Sequence, residues 1–86
     1  MEKENKLEIY RAEIVVIDEK IFKLLEQRFA VVEKIGQYKK ANNLPMKNVQ
    51  REQLLIEKMQ QKIAFNKKFI EKFYKLLFNH SYAIEK

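Results

Sequence analysis

The chain has 86 residues, about the size at which one small hydrophobic core is marginal, so a single domain over residues 1–86 is expected. It contains no cysteine, which excludes disulfides and thiolate metal sites, and its single Gly and single Pro argue for long helices with few turns. The net charge of +6 suits an anionic partner, although the basic residues are 15 Lys and only 3 Arg, and lysines scattered along helix faces usually mark a solvated surface.

The first predicted helix runs from about residue 5 to about 41. Leu7, Ile14, Ile21 and Ile35 recur every seven residues, with Tyr10, Ile17, Leu24, Val31 and Tyr38 as the companion series. Together with their neighbours they form an apolar arc of roughly 160°, wider than a two-stranded seam needs. The stretch "ANNLPMKN" ends this helix: Asn42 and Asn43 tolerate the left-handed conformation that closes helices, and Pro45 forbids continuation. Asn48 is the expected N-cap of a second helix reaching about Ile63, with Leu55, Ile56, Met59 and Ile63 inward. Asn66 is placed to cap a third, whose apolar face is Phe69, Ile70, Phe73, Leu76, Leu77 and Ile84.

Length has a consequence. A helix of about 36 residues spans ~54 Å, whereas a compact chain of this size is only ~30 Å across. Half of the first helix therefore outruns its own chain's core while still carrying an apolar arc. The expected architecture is all-α, three helices per chain, in an intertwined two-fold homodimer.

The polar N-terminus "MEKENK" and the short aliphatic run "IVVI" support neither a signal peptide nor a membrane span, so a cytoplasmic protein is expected. Nucleophilic catalysis is disfavoured: Ser81 is the only Ser, there is no Thr, and adjacent His80 and Ser81 diverge by about 100° on a helix. One His gives no zinc site and no Gly-rich phosphate loop occurs. No metal or cofactor is expected, and any catalysis has to come from positioning and fixed charge.

The charges on the apolar side are the informative residues. Arg28 occupies the seam position missing from the Leu7 series, and Arg11, Asp18 and Lys39 lie about 40° away. Asn48, Arg51 and Glu52 continue the inward face of Leu55 and Met59, and Ser81 and Glu85 share a face with Leu77. Alone, Arg28 is open to two readings, since one polar seam residue also fixes register in coiled coils. Gly36 costs roughly 1 kcal/mol in a helix relative to Ala. It marks either a close approach or simple tolerance of crowding. Asn48 can be a cap only, and His80 a solvated histidine.

Taken together, "LEIYRAEIVVIDEKIFKLLEQR", "IGQYKK", "LPMKNVQREQLL" and "HSYAIE" resemble, in order and spacing, the all-helical chorismate mutases. The resemblance covers residues 5 to 85, and its most specific elements are Arg11, Asp18 and Arg28, then Lys39, then Arg51–Glu52. It implies a cofactor-free pericyclic conversion of chorismate to prephenate, the branch step toward phenylalanine and tyrosine. By that resemblance Arg11 and Arg28 hold the substrate carboxylates, with Asn48, Arg51 and Ser81 adding polar contacts. Lys39 donates to the ether oxygen, and Glu52 accepts from the ring hydroxyl. Glu85 can donate to the ether oxygen only when protonated. Asn48 departs from the more common Asp, and Glu85 from the more common Gln.

Arg11 and Lys39 are 28 residues apart on one helix, about 42 Å along its axis. If both serve one site, Arg11 comes from the partner protomer. Two competing expectations remain: an isochorismate pyruvate lyase on the same fold, and a basic helical module for nucleic acid or an acidic surface. The interleaving of Glu and Lys on the first helix speaks against nucleic acid, and neither it nor a membrane is an expected partner.

Overall fold

The computed structural model describes residues 2–86, with side chains from residue 5 onward. The described residues form three α-helices and no strand: α1 (Glu2–Ala41), α2 (Val49–Lys62) and α3 (Lys67–Glu85). The elements match the sequence expectations to within three residues at every boundary. No helix among the described residues is long and apolar enough to cross a membrane.

Each terminus has a local cause. At the end of α1, Asn43 takes the left-handed conformation with φ 54°. The Leu44 N–H then bonds to the Lys39 carbonyl at 2.9 Å and the Asn43 N–H to the Lys40 carbonyl at 3.4 Å, the paired closure of a Schellman motif. The Asn42 side-chain amide adds a bond to the Tyr38 carbonyl at 2.9 Å. Asn48, extended at φ −135° and ψ 94°, caps α2 by accepting from the Arg51 N–H at 3.0 Å. Asn66 caps α3 in the same way, accepting from the Phe69 N–H at 3.0 Å. Two asparagine caps and one asparagine turn punctuate the chain.

By its contacts the chain divides into residues 1–30 and residues 31–86. The first unit is helix alone. Its Leu7, Ile9, Tyr10, Ile14, Val15, Val16, Ile17, Ile21, Phe22 and Leu24 are all exposed. The arc seen in the sequence is thus exposed on the described part of this helix.

The second unit holds the core. The C-terminal turns of α1, α2 and α3 bury Val32, Ile56, Ile70, Leu77 and Phe78. α2 and α3 pack against each other, and the Gln60 amide donates to the Lys67 carbonyl at 3.0 Å across their junction. Leu55, Met59, Ile63 and Ile84 are half-buried as their periodicity predicts. Phe69, Phe73 and Leu76 differ: they are exposed, Leu76 by 68%. Periodicity placed them correctly on the apolar side of α3, but that side is wider than one α2 can cover.

Candidate functional site

Two charged side chains meet where α1 ends and α3 ends. Lys39 Nζ lies 2.6 Å from Glu85 Oε1, and the same nitrogen donates to the Met46 carbonyl at 2.6 Å. The Lys39 side chain keeps 24% of its surface exposed and Glu85 only 4%. The Schellman turn explains the Met46 contact, because reversing the chain after Ala41 brings residue 46 back over residue 39. The approach of α3 is explained by Gly36. A Cβ built there would lie 2.9 Å from the Glu85 Cα and 3.2 Å from its Cβ, so any larger residue would push the helix end away. Of the two readings of Gly36, close approach is the one realised.

The start of α2 supplies the second half. Glu52 sits in the first turn, where the helix dipole favours a carboxylate. Its Oε2 accepts from the Tyr82 hydroxyl at 2.6 Å. Tyr82 lies three residues before Glu85 on α3, and its ring centroid is 5.9 Å from Lys39 Nζ. Partial burial, then the hydrogen bond to Glu52 and the charge of that carboxylate, push the Tyr82 phenol up to about 12, against an opposing pull from the Asn48 backbone. Tyr82 is therefore a neutral donor at any physiological pH.

Ser81 and Glu85 are the buried polar side chains of the core, on the Leu77 face as their spacing predicts. Asn48 serves as a cap, and Arg51 is exposed with its backbone N–H on Asn48. Arg11 and Arg28 belong to the residues 1–30 unit, where Arg11 is exposed and Arg28 half-buried. His80 is exposed. A depression of about 430 Å³ lies beside the ion pair, lined by Gly36, Lys39, Lys40, Asn43, Leu44, Met46 and Glu85. A wider hollow of about 680 Å³ at the start of α3, lined by Phe65, Asn66, Lys68, Phe69 and Lys72, contains none of the candidate residues. Among the described residues no group of His, Cys, Asp or Glu could hold a metal ion.

Lys39, Glu52, Tyr82 and Glu85 thus meet at three helix ends, which places one ammonium, two carboxylates and a phenol close together. Compared with known families, residues 10–86 match the profile of chorismate mutase type II. The chain belongs to that family. It is 35% identical over 85 residues to a bifunctional chorismate mutase/prephenate dehydratase of Buchnera aphidicola subsp. Acyrthosiphon pisum, covering 95% of this chain and 22% of the relative. The corresponding protein of Buchnera aphidicola subsp. Schizaphis graminum is 33% identical over 89 residues, covering 100% of this chain and 23% of the relative. The chain therefore spans less than a quarter of the curated relatives it matches. No solved structure matches it.

Within a chorismate mutase type II chain, Tyr82 is the residue that sequence reasoning passed over. Its neighbours Ser81 and Glu85 drew attention as polar residues on an apolar face. A tyrosine in that stretch reads as core, and its partner Glu52 is 30 residues away. The usable signal was its three-residue spacing from Glu85, which puts both side chains on one face.

Proposed function

We propose that this chain is a chorismate mutase, converting chorismate to prephenate in the cytoplasm by holding and polarising the substrate. Family membership makes the case, and the observation that carries it to the reaction is the state of Lys39. Its ammonium has three N–H donors. Glu85 and the Met46 carbonyl take two of them, leaving one to donate to the ether oxygen as the C–O bond breaks and negative charge develops there. A donor fixed before the reaction needs no reorganisation during it, which makes such preorganised charge the largest single contribution in many enzymes.

Glu52 accepts from the ring hydroxyl of the substrate, and Ser81, Asn48 and Arg51 add polar contacts. Arg28 and the partner's copy of Arg11 bind the two carboxylates, a task for which the planar guanidinium is suited. Holding the enolpyruvyl group over the ring supplies the orientational share of the rate. Residues 1–86 act as one domain completed by a second copy of the chain. The uncovered apolar arc of α1 supports that assembly, as does the 28-residue spacing of Arg11 and Lys39.

The deciding experiment is to incubate the purified protein with chorismate and, separately, with isochorismate, and to identify the products. Prephenate from chorismate is the expected result. Pyruvate and salicylate from isochorismate, with chorismate untouched, would make it a lyase instead.

A further inference from the structure

We propose that Tyr82 is a positioning residue of this site, its hydroxyl orienting the Glu52 carboxylate through Oε2 while its ring flanks the Lys39 ammonium. The proposal deepens the mutase reading and rests on it.

The geometry is that of a hub. Tyr82 stands on α3, Glu52 in the first turn of α2, and Lys39 in the last turn of α1. One side chain thus touches a functional residue of each neighbouring helix, at 2.6 Å through oxygen and at 5.9 Å through the ring. Glu52 is half-buried near a helix end, and its side chain has three rotatable bonds whose freedom has to be given up to hold one geometry. A carboxylate in that position makes a poor acceptor for a substrate hydroxyl unless something holds it.

Tyr82 holds it without consuming it. An ionised carboxylate has two oxygens and about four acceptor sites, so a single donor on Oε2 leaves Oε1 able to receive the substrate. The phenol suits this task better than the alternatives. A lysine there would add a second cation beside Lys39, and a serine would be too short to cross from α3 to α2. The phenol stays neutral, and its ring face attracts the ammonium that Glu85 holds from the other side. Lys39 is thereby confined between Glu85, the Met46 carbonyl and the Tyr82 ring.

A bond that merely ties α3 to α2 would also need Glu52, but its loss would show in the urea midpoint and not in kcat/KM measured where every variant is fully folded. The test is a double-mutant cycle on kcat/KM for chorismate with the full chain: wild type, Tyr82→Phe, Glu52→Ala and the double variant. Tyr82→Phe keeps the ring and is expected to lose about tenfold, the scale of one charge-assisted hydrogen bond. In the Glu52→Ala background the same change is expected to cost less than about twofold. Tyr82→Leu, which also removes the ring beside Lys39, is expected to lose more than Tyr82→Phe.

Tyrosinate absorbance gives a readout independent of turnover. The wild-type minus Tyr82→Phe difference should titrate near 12, and in the Glu52→Ala background the Tyr82 signal should move down, burial still holding it above 10.0. An active wild type in which Tyr82→Phe costs nothing, or costs the same tenfold without Glu52, overturns this inference alone. A Tyr82 signal unmoved by Glu52→Ala does so as well. A wild-type chain that leaves chorismate unchanged overturns the functional reading, and this inference with it.

Discussion

Under the proposed function Glu85 faces two tasks that conflict. As a carboxylate it accepts from Lys39 at 2.6 Å and organises that donor. Toward an ether oxygen, which only accepts, the same carboxylate offers nothing but lone pairs. Glutamine removes the conflict, since its amide oxygen still accepts from Lys39 while its NH₂ donates permanently. Glu85→Gln is expected to raise kcat/KM at neutral pH. A glutamine variant no faster than wild type at neutral pH would take Glu85 out of the reaction. Gly36 is the matching backbone case. In an open helix Gly→Ala stabilises by about 1 kcal/mol, but here the new methyl would meet the Glu85 Cα at 2.9 Å, and a backbone atom has no flexible end to move aside. Overpacking of this kind costs ~1–3 kcal/mol. Gly36→Ala is therefore expected to leave Tm unchanged or lower and to cut kcat/KM at least tenfold by displacing Glu85. A raised Tm with full activity would contradict it. Gly36 was legible as a glycine inside a helix, and Glu85 from its four-residue spacing to Ser81. Their contact was not, because it depends on how closely two helices approach, and Tyr82 escaped for the same reason.

The helices themselves were largely legible, since their ends are written in short-range chemistry. Asn43, Asn48 and Asn66 each do a job that needs only three or four neighbouring residues, and Pro45 bars continuation of α1. Asn48 allows cap and site roles to be separated. Alanine at 48 is expected to cost about 1 kcal/mol by leaving the Arg51 N–H without its acceptor. Asp at 48 keeps an oxygen in place and should hold stability within about 0.5 kcal/mol of wild type. Urea midpoints of the two variants decide it, and equal midpoints would show that the cap contributes nothing. What the pattern could not reveal was cover. Apolar periodicity marks Phe69, Phe73 and Leu76 as surely as Ile70 and Leu77, yet only the last two are buried here. A period identifies a face of a helix, not the chain that faces it.

At the scale of the whole molecule the question is how many chains make one site. Arg11 and Lys39, 28 residues apart along α1, cannot reach a ligand of chorismate's size from the same helix. If the proposed two-fold assembly builds the site, the Arg11→Ala and Lys39→Ala proteins are each expected to be nearly inactive. Refolding equal amounts of the two together should restore up to about a quarter of wild-type activity, because about half of the dimers are then mixed and one of the two sites in each has both residues. Mixed dimers that form but stay inactive would show that the cross-subunit assignment is wrong.

If a second copy covers the bare apolar stripe of α1, as proposed above, activity is tied to dosage. A protein completed by its own copy obeys mass action, so its folded fraction depends on how much of it there is. Halving an enzyme that works alone halves the rate. Diluting this one below the dissociation constant of its pair is expected to make the rate fall with the square of concentration, and its melting temperature to fall as well. Added substrate, by bridging both chains, should oppose both losses. For such an enzyme synthesis rate is itself a regulator, needing no effector site on the protein.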